Sequence, residues 1–282
     1  MNGFKTFGLL TILTLLVVVA GQLLGGTQGA VIAFVIAAVM NLGSYWFSDK
    51  LVLARYRSRE VAHGQLPRLD AIVDRLVQRV GLPRPRMFVI PEAQPNAFAT
   101  GRNPEHAAVA VTQGLLELMD DAELEGVVAH ELAHVKHRDI LISSIAATLA
   151  GAVMVLASMA RWGAIFGGFD RGSRNGGGGI VGLLAMAIVA PLAATVVQLA
   201  VSRSREFSAD RGAAEMVGSP DGLARALQRL GQLSGRIPLD ASPASAHMFI
   251  VAPLSGGSTI GRWFSTHPPL EQRIERLLQR SA

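Results

Sequence analysis

The amino-acid sequence predicts a mainly α-helical, multi-pass membrane protein that also contains a small β-sheet. Half of its 282 residues are hydrophobic and only 17% are charged, which is fewer charges than a soluble domain normally carries. The apolar residues are concentrated in long uncharged intervals instead of being spread along the chain. Between these intervals lie amphipathic helical patterns and a few short runs typical of strands.

The first uncharged interval lies between Lys5 and Asp49. It is longer than the roughly 20 residues that one membrane-spanning helix needs, and a cluster of glycines divides it near the middle. We therefore expect two spans, Thr6–Leu24 and Ala30–Phe47, which together make residues 1–47 a membrane anchor. A cleaved signal peptide is the alternative for the first span, but no clear cleavage site follows it.

The second pair of apolar segments is expected at Ile140–Ala160 and Ile180–Val201, joined by the glycine-rich linker 161–179. Together they form a membrane hairpin over residues 140–201. Three arginines in the linker conflict with the expectation that two full spans would carry it outside. Either the charge bias is overridden there or the two segments dip into the bilayer without crossing it. Both paths return the chain to the side from which it left.

The remaining residues, 48–139 and 202–282, have the composition of soluble domains. In the first part, a helix is predicted to end at "GLPRPR", strands are predicted at "MFVI", "NAFAT" and "AAVAVT", and another helix begins near Asp121. That helix has a capping aspartate and glutamates in its first turn. In the second part, "GSPDGLARALQRLGQL" and "PPLEQRIERLLQR" are predicted to be amphipathic helices.

The charge and cysteine content exclude several kinds of site. The chain has no cysteine, so His, Asp and Glu remain as its metal ligands. The net charge is +5, and basic residues crowd just after the second span, from Lys50 to Arg59. The positive-inside rule explains this cluster and places residues 48–139 in the cytoplasm. No nucleic-acid-binding motif accompanies the charge, so we expect no nucleic-acid partner.

The segment "HELAH" carries the strongest chemical signal. His130 and His134 are four residues apart, so both imidazoles leave one face of a helix and can share a metal ion. Glu131 follows His130 directly and can reach a water on that metal. This H-E-x-x-H spacing is the pattern of zinc peptidases.

A second segment, "SRSREFSAD", places Glu206 and Asp210 four residues apart after the fourth apolar run. One carboxylate could supply the third ligand of a catalytic zinc site while the other supports a ligand imidazole. An exposed helix face with solvated ion pairs is the alternative. The membrane hairpin favours the first interpretation, because it brings this segment to the same membrane face as His130 and His134.

Taken together, these segments resemble the HtpX-type membrane zinc metallopeptidases, relatives of the eukaryotic CAAX prenyl protease. The resemblance rests on the paired N-terminal spans, "PNAFATGRNPEHAAVAVTQGLLE", "HELAHVKHRD", the apolar hairpin, "SRSREFSAD" and "STHPPLEQRIERL". It implies a zincin-like catalytic domain at the membrane surface, built in two parts from residues 48–139 and 202–282. One Zn²⁺ per chain would be held by His130, His134 and Glu206, with Glu131 as general base and Asp210 supporting a ligand.

The resemblance also implies a cellular role. The protein would lie in the bacterial cytoplasmic (inner) membrane with its site facing the cytoplasm. There it would cleave misfolded or damaged membrane proteins and unfolded polypeptides, in protein quality control under stress. Two alternatives remain, a catalytically silent membrane scaffold and a zinc-handling membrane protein. Glu131 argues against the scaffold, and the absence of ionisable residues from the four apolar segments argues against the second.

Two further histidines could take part in the chemistry. His267, in "STHPP", could donate to the oxyanion or cap the zinc in a resting state, and the alternative is a histidine in a surface turn. His137 lies on nearly the same helix face as His130 and His134. Three ligands from two turns of one helix would crowd the metal, so we expect His137 to be a polar flank.

The segment "NAFAT" is a candidate substrate-binding strand. An extended polypeptide can add to a sheet edge through main-chain hydrogen bonds, which suits an enzyme that accepts varied sequences. The alternative is a purely structural hairpin strand. The residues proposed to line the cleft are Asn96, Ala97, Phe98, Ala99 and Thr100.

Overall fold

The computed structural model describes residues 2–147, 203–234, 236–237, 248–251 and 268–279. Most of the predicted membrane hairpin, its linker 161–179 and His267 lie outside the described residues. The predicted domain boundaries and the multi-pass arrangement therefore stay predictions.

The chain begins with the helical segment α1, Asn2–Arg55, which folds back on itself at Gly26. Gly26 has φ +59°, a left-handed conformation that glycine adopts without strain. The amide of Asn41 donates to the hydroxyl of Thr14 at 2.8 Å, although 27 residues of straight helix would separate them by about 40 Å. The two arms are thus antiparallel, and the division falls in the glycine region that the sequence indicated.

The arms of α1 approach closely near the fold-back. A methyl group at Gly21 would overlap both Cβ of Ala33 and the carbonyl oxygen of Gly29, so glycine is required there. The second arm, Gly26–Arg55, is long and apolar enough to cross a membrane, and most of it is not buried inside the protein. Among the described helices it is the one that meets this criterion.

The sheet has four strands in the order β1-β2-β4-β3. These are β1 (Arg59–Val61), β2 (Arg86–Ile90), β3 (Ala97–Thr100) and β4 (Ala108–Thr112). Strands β2 and β4 are parallel, whereas β1 and β3 run antiparallel to their neighbours. The three predicted strands are confirmed, and β3 is an edge strand as expected. Strand β4, formed by "AAVAVT", is internal because it pairs with β2 and β3.

Six further α-helices have bounds within the described residues, and residues 140–147 are also helical. The six are α2 (Pro67–Val80), α3 (Gln113–Leu118), α4 (Asp121–Lys136), α5 (Arg203–Val217), α6 (Asp221–Ser234) and α7 (Leu270–Leu278). Helix α4 begins with the predicted cap. The backbone N–H of Glu123 donates to Asp120, and the Glu123 carboxylate accepts from the backbone N–H of Asp120. This reciprocal pair fixes the first turn of the helix that carries "HELAH".

Helix α4 lies at the centre of the domain and is buried along almost its whole length. One apolar core joins α2, α4, α5 and α6 to one face of the sheet. A second, smaller core lies on the opposite face, where the end of α1 contributes Val52, Leu53 and Tyr56. The sheet is therefore held between the soluble helices and the helix that leads out of the predicted membrane anchor.

Candidate metal centre

Two helices that are far apart in sequence bring three candidate ligands together. His130 and His134 lie on α4, with their Nε2 atoms 3.2 Å apart. Glu206, in the first turn of α5, places one carboxylate oxygen 3.7 Å from Nε2 of His130 and the other 3.5 Å from Nε2 of His134. His130 and Glu206 are buried, and His134 is partly exposed. The structure thus assembles the three ligands that the sequence analysis paired across the hairpin.

The spacing of these atoms fits a zinc ion. Tetrahedral zinc, with bonds of about 2.0–2.1 Å, separates its ligand atoms by about 3.3 Å. The measured separations of 3.2, 3.5 and 3.7 Å lie close to this value. Two imidazoles and one carboxylate are also a donor set typical of catalytic zinc, which leaves a fourth position for water.

Each histidine has a carboxylate on its other ring nitrogen. Nδ1 of His130 lies 2.9 Å from Asp210, and Nδ1 of His134 lies 3.2 Å from Asp139. When Nδ1 donates to a carboxylate, Nε2 is left to bind metal and the ring is held in place. Asp210 was expected in this position. Asp139 follows the C-terminal end of α4, and its carboxylate contacts His134.

A residue that the sequence analysis did not single out, Arg273 of α7, lies behind Asp210. Its side chain is fully buried. Its guanidinium donates to both carboxylate oxygens of Asp210, at 2.6 and 2.9 Å, and to the carbonyl oxygen of Ile250 at 2.9 Å. One signal could have revealed it. Arg273 lies on the apolar face of α7, between Leu270 and Leu277, where a charge needs a buried partner.

These contacts set the protonation of the two histidines in the metal-free protein. Burial lowers the pKa of His130 to about 4 even though Asp210 favours its charged form. Burial alone would also lower the pKa of His134. There, hydrogen bonds to Asp139 and Glu206 outweigh it and raise the pKa to about 10. Burial disfavours the Asp210 anion too, but Arg273 prevails and lowers the pKa of Asp210 to about 2.

Glu131 differs from the other carboxylates in the site. Burial raises its pKa to about 7, and the charge of nearby His134 opposes this rise. Its carboxylate also accepts a hydrogen bond from the backbone N–H of Ala99 in the edge strand. A carboxylate that titrates near neutrality and is fixed beside the metal ligands can both accept and return a proton.

All five residues of the candidate substrate strand are buried. The carbonyl oxygen of Ala97 accepts from the backbone N–H of Ile250 at 3.0 Å. The hydroxyl groups of Thr100 and Ser144 are 2.7 Å apart. The outer edge of β3 is therefore paired with main chain at Ala97, while Ala99 faces the reacting centre.

His137 does not join the three candidate ligands. It lies at the C-terminal cap of α4, and its ring packs beside Gly212 of α5. Among the described residues, the group that could hold a metal consists of His130, His134 and Glu206. His267 is outside the described residues, so its proposed contact with the site stays a prediction.

Comparison with known proteins agrees with this geometry. The model of peptidase family M48 matches residues 64–281. The chain is 58% identical to the Protease HtpX homolog of Desulforapulum autotrophicum over 98% of this chain and 89% of that protein. It is 55% identical to the homolog of Syntrophobacter fumaroxidans over 97% and 98% of the two chains.

A solved structure shares the fold. The structure of S. mikatae Ste24p superposes with a TM-score of 0.53 at 17% sequence identity. The match covers 98% of this chain but 65% of Ste24p, so the chain spans about two thirds of that protein's length.

Proposed function

The chain belongs to peptidase family M48 and is a metallopeptidase, and from this we propose that it is a zinc endopeptidase of the bacterial inner membrane. Its substrates would be misfolded or damaged membrane proteins and unfolded polypeptides, cut at the cytoplasmic face. The observation that carries the proposal is the position of Glu131. This buried carboxylate, with a pKa of about 7, lies beside three residues spaced for zinc.

In the proposed reaction, His130, His134 and Glu206 would hold one zinc ion. Zinc bound there would lower the pKa of a water molecule and polarise the scissile carbonyl. Glu131 takes a proton from the attacking water and then delivers it to the leaving amine. Asp210 and Asp139 keep the two imidazoles oriented, and Arg273 keeps Asp210 ionised. If His267 reaches the site, it would donate to the oxyanion or cap the resting zinc.

The substrate is proposed to lie along β3. In an antiparallel edge strand, alternate residues direct their main-chain groups away from the sheet, and here these are Ala97 and Ala99. Since Ile250 already pairs with Ala97 and the N–H of Ala99 donates to Glu131, the substrate would pair at the carbonyl oxygen of Ala99. Asn96, whose side chain donates to the carbonyl oxygen of Val251 at 2.9 Å, would shape the end of the cleft without forming its floor.

The membrane location is supported by the apolar arm Gly26–Arg55 and by its large exposed apolar side chains. The basic residues that follow it favour the cytoplasmic face for the site. A role in protein quality control and the stress response follows from the proposed substrates. The two alternatives, a silent scaffold and a zinc-handling membrane protein, do not require a buried carboxylate that titrates near neutrality beside the ligands.

The test compares wild type with Glu131→Gln and with the control Glu117→Gln, an exposed residue of α3. Each protein is purified in detergent under conditions that retain zinc, and bound zinc and casein cleavage are measured. We expect about one zinc per chain in all three, with cleavage lost in Glu131→Gln alone. Full zinc occupancy without any cleavage by wild type would favour the scaffold or the zinc-handling alternative.

A further inference from the structure

Three consecutive aromatic residues of α1, here called the aromatic level, lie at the end of its uncharged run. Tyr45, Trp46 and Phe47 end the uncharged run and are followed by Asp49 and Lys50. Their side chains are exposed, Trp46 at 51% and Phe47 at 53%. Exposed aromatic rings between an apolar run and the first charges are typical of the boundary between bilayer and water. This aromatic level therefore indicates where the membrane surface crosses α1.

The catalytic domain is held at a fixed height above the aromatic level. Helix α1 continues without a linker to Arg55, and the buried Tyr56 follows it. The ring of Tyr56 lies 5.8 Å from Phe98 of β3 and 5.0 Å from Phe249, measured between centroids. Phe98 and Phe249 are 5.3 Å apart. Three interlocked rings thus join the membrane helix directly to the edge strand.

The C-terminal end of β3 reaches the aromatic level. The guanidinium carbon of Arg102, two residues after β3, lies 4.7 Å from the centroid of the Trp46 ring. From a second side, Ser144 accepts a hydrogen bond from the backbone N–H of Gly101 at 3.4 Å. Ser144 belongs to the helical residues 140–147, where the third apolar run begins. Two elements that lead towards the membrane therefore meet at this end of the strand.

The reacting centre lies a short distance from that end. Ala99, whose N–H binds Glu131, precedes Arg102 by three residues, which extended chain covers in about 10 Å. The opposite end of the outer edge is occupied by main chain, because Ile250 pairs with Ala97. A polypeptide paired at Ala99 would therefore run towards the aromatic level.

From this geometry we propose that the enzyme cuts bilayer-anchored polypeptides at a fixed distance from the membrane, and that Trp46 and Arg102 set this distance. At about 3.3 Å per extended residue, the roughly 10 Å between Ala99 and Arg102 place the scissile bond about three residues from the membrane boundary. The preferred substrate is an unfolded segment directly adjoining a transmembrane helix. The inference rests on the proposed function, because it takes the protein to be a peptidase embedded in the bilayer.

The test uses substrates with one transmembrane helix followed by an unfolded segment, reconstituted into liposomes with the enzyme. In a nested series, residues are deleted one by one from the membrane-proximal end of the segment. Each deletion moves the remaining sequence one residue closer to the transmembrane helix, so a different peptide bond lies at each distance from the bilayer. The products are mapped by mass spectrometry. We expect the main cut to stay about three residues from the anchor throughout the series. A cut that follows its sequence and drifts with the deletions would overturn the proposal.

Variants test the two residues that are proposed to set the distance. In Trp46→Ala and Arg102→Gln we expect cuts spread over more positions, with casein cleavage in detergent unchanged. The matched control is Arg75→Gln, which alters an exposed arginine of α2 that is paired with Glu125 of α4. This variant should cut at the same positions as wild type. Unchanged cut positions in both variants would overturn the role of Trp46 and Arg102.

The deletion series on wild type tests the fixed cutting distance without any variant, so this test remains even if a variant does not fold. Casein cleavage separates this inference from the function on which it rests. Wild type that cuts casein but shows no fixed distance refutes the inference alone. Wild type that cuts neither casein nor anchored substrates refutes the proposed peptidase function as well.

Discussion

Arg273 and Asp210 form a buried ion pair in which two nitrogens of the guanidinium contact the two oxygens of the carboxylate, at 2.9 and 2.6 Å. The pair lies directly behind His130, whose Nδ1 is 2.9 Å from the same carboxylate. Since a carboxylate on the far side of a ligand imidazole orients the ring and increases its basicity, Arg273 acts on the candidate metal site through Asp210 and His130. Its guanidinium also lies 3.6 Å from a carboxylate oxygen of Glu206, so it contacts one candidate ligand directly.

Replacing Arg273 by methionine is expected to weaken zinc binding by about 10–100-fold and to destabilise the fold by about 3–5 kcal/mol. The substitution leaves the Asp210 charge buried without its main partner. Chelator competition measures the zinc affinity, and thermal unfolding measures the stability. Gln272→Met, an exposed position on the same helix, is the control. Zinc binding as tight as in wild type would contradict the positioning role of Arg273.

Asp139→Asn tests the carboxylate that lies 3.2 Å from Nδ1 of His134. We expect zinc affinity to fall about 10–100-fold, because an amide no longer holds Nδ1 of His134 as strongly. Asp221→Asn, an exposed position in the first turn of α6, should leave the affinity unchanged. If chelator competition gives the same affinity for Asp139→Asn as for wild type, the 3.2 Å contact has no bearing on metal binding.

Zinc uptake by the metal-free protein should release protons. The pKa of His134 is raised to about 10, so at pH 8 this ring is protonated, and it must lose its proton to bind metal. Glu131 and His130, with pKa values near 7 and 4, are already deprotonated at that pH. We therefore expect release of about one proton per zinc at pH 8. Calorimetry in buffers of different ionisation enthalpy measures this number, and a value near zero would contradict the protonated state of His134.

The same shift gives the metal-free protein a stability that depends on pH. A raised pKa means that the folded state holds the His134 proton more tightly than the unfolded chain does. This contribution is fully present below pH 6.5 and is lost as the pH rises through about 10. Denaturant unfolding with chelator present, compared between wild type and His134→Gln, isolates it. The difference in unfolding free energy between the two proteins should shrink as the pH rises through about 10. A difference that stays constant with pH would contradict the raised pKa of His134.

Gly21→Leu should destabilise the fold-back of α1. Any side chain at this position meets Ala33 and the carbonyl oxygen of Gly29 on the opposite arm, and backbone atoms cannot move aside. Gly43→Leu is the control, because no atom lies within 4 Å of the added carbon there. Thermal unfolding in detergent should show a lower midpoint for Gly21→Leu than for Gly43→Leu. Equal midpoints would mean that the close approach of the two arms does not matter for stability.

The sequence predicted the features that depend on residues close to each other in the chain. The cap formed by Asp120 and Glu123 and the spacing of His130 and His134 depend on residues within a few positions of each other. Glu206 could also be assigned to the same site as these histidines, because the predicted apolar hairpin returns the chain to the membrane face from which it left. Arg273 was missed because its partner Asp210 is 63 residues away, and only tertiary packing brings them together. Likewise, no local pattern indicated that Ile250 would pair with the edge of β3.

The division of the metal centre between α4 and α5 imposes an order on biosynthesis. The ribosome completes His130 and His134 well before Glu206, and Arg273 emerges later still. A nascent chain that ends before Glu206 therefore carries two of the three candidate ligands, and it gains its full affinity for the metal after α5 has docked on α4.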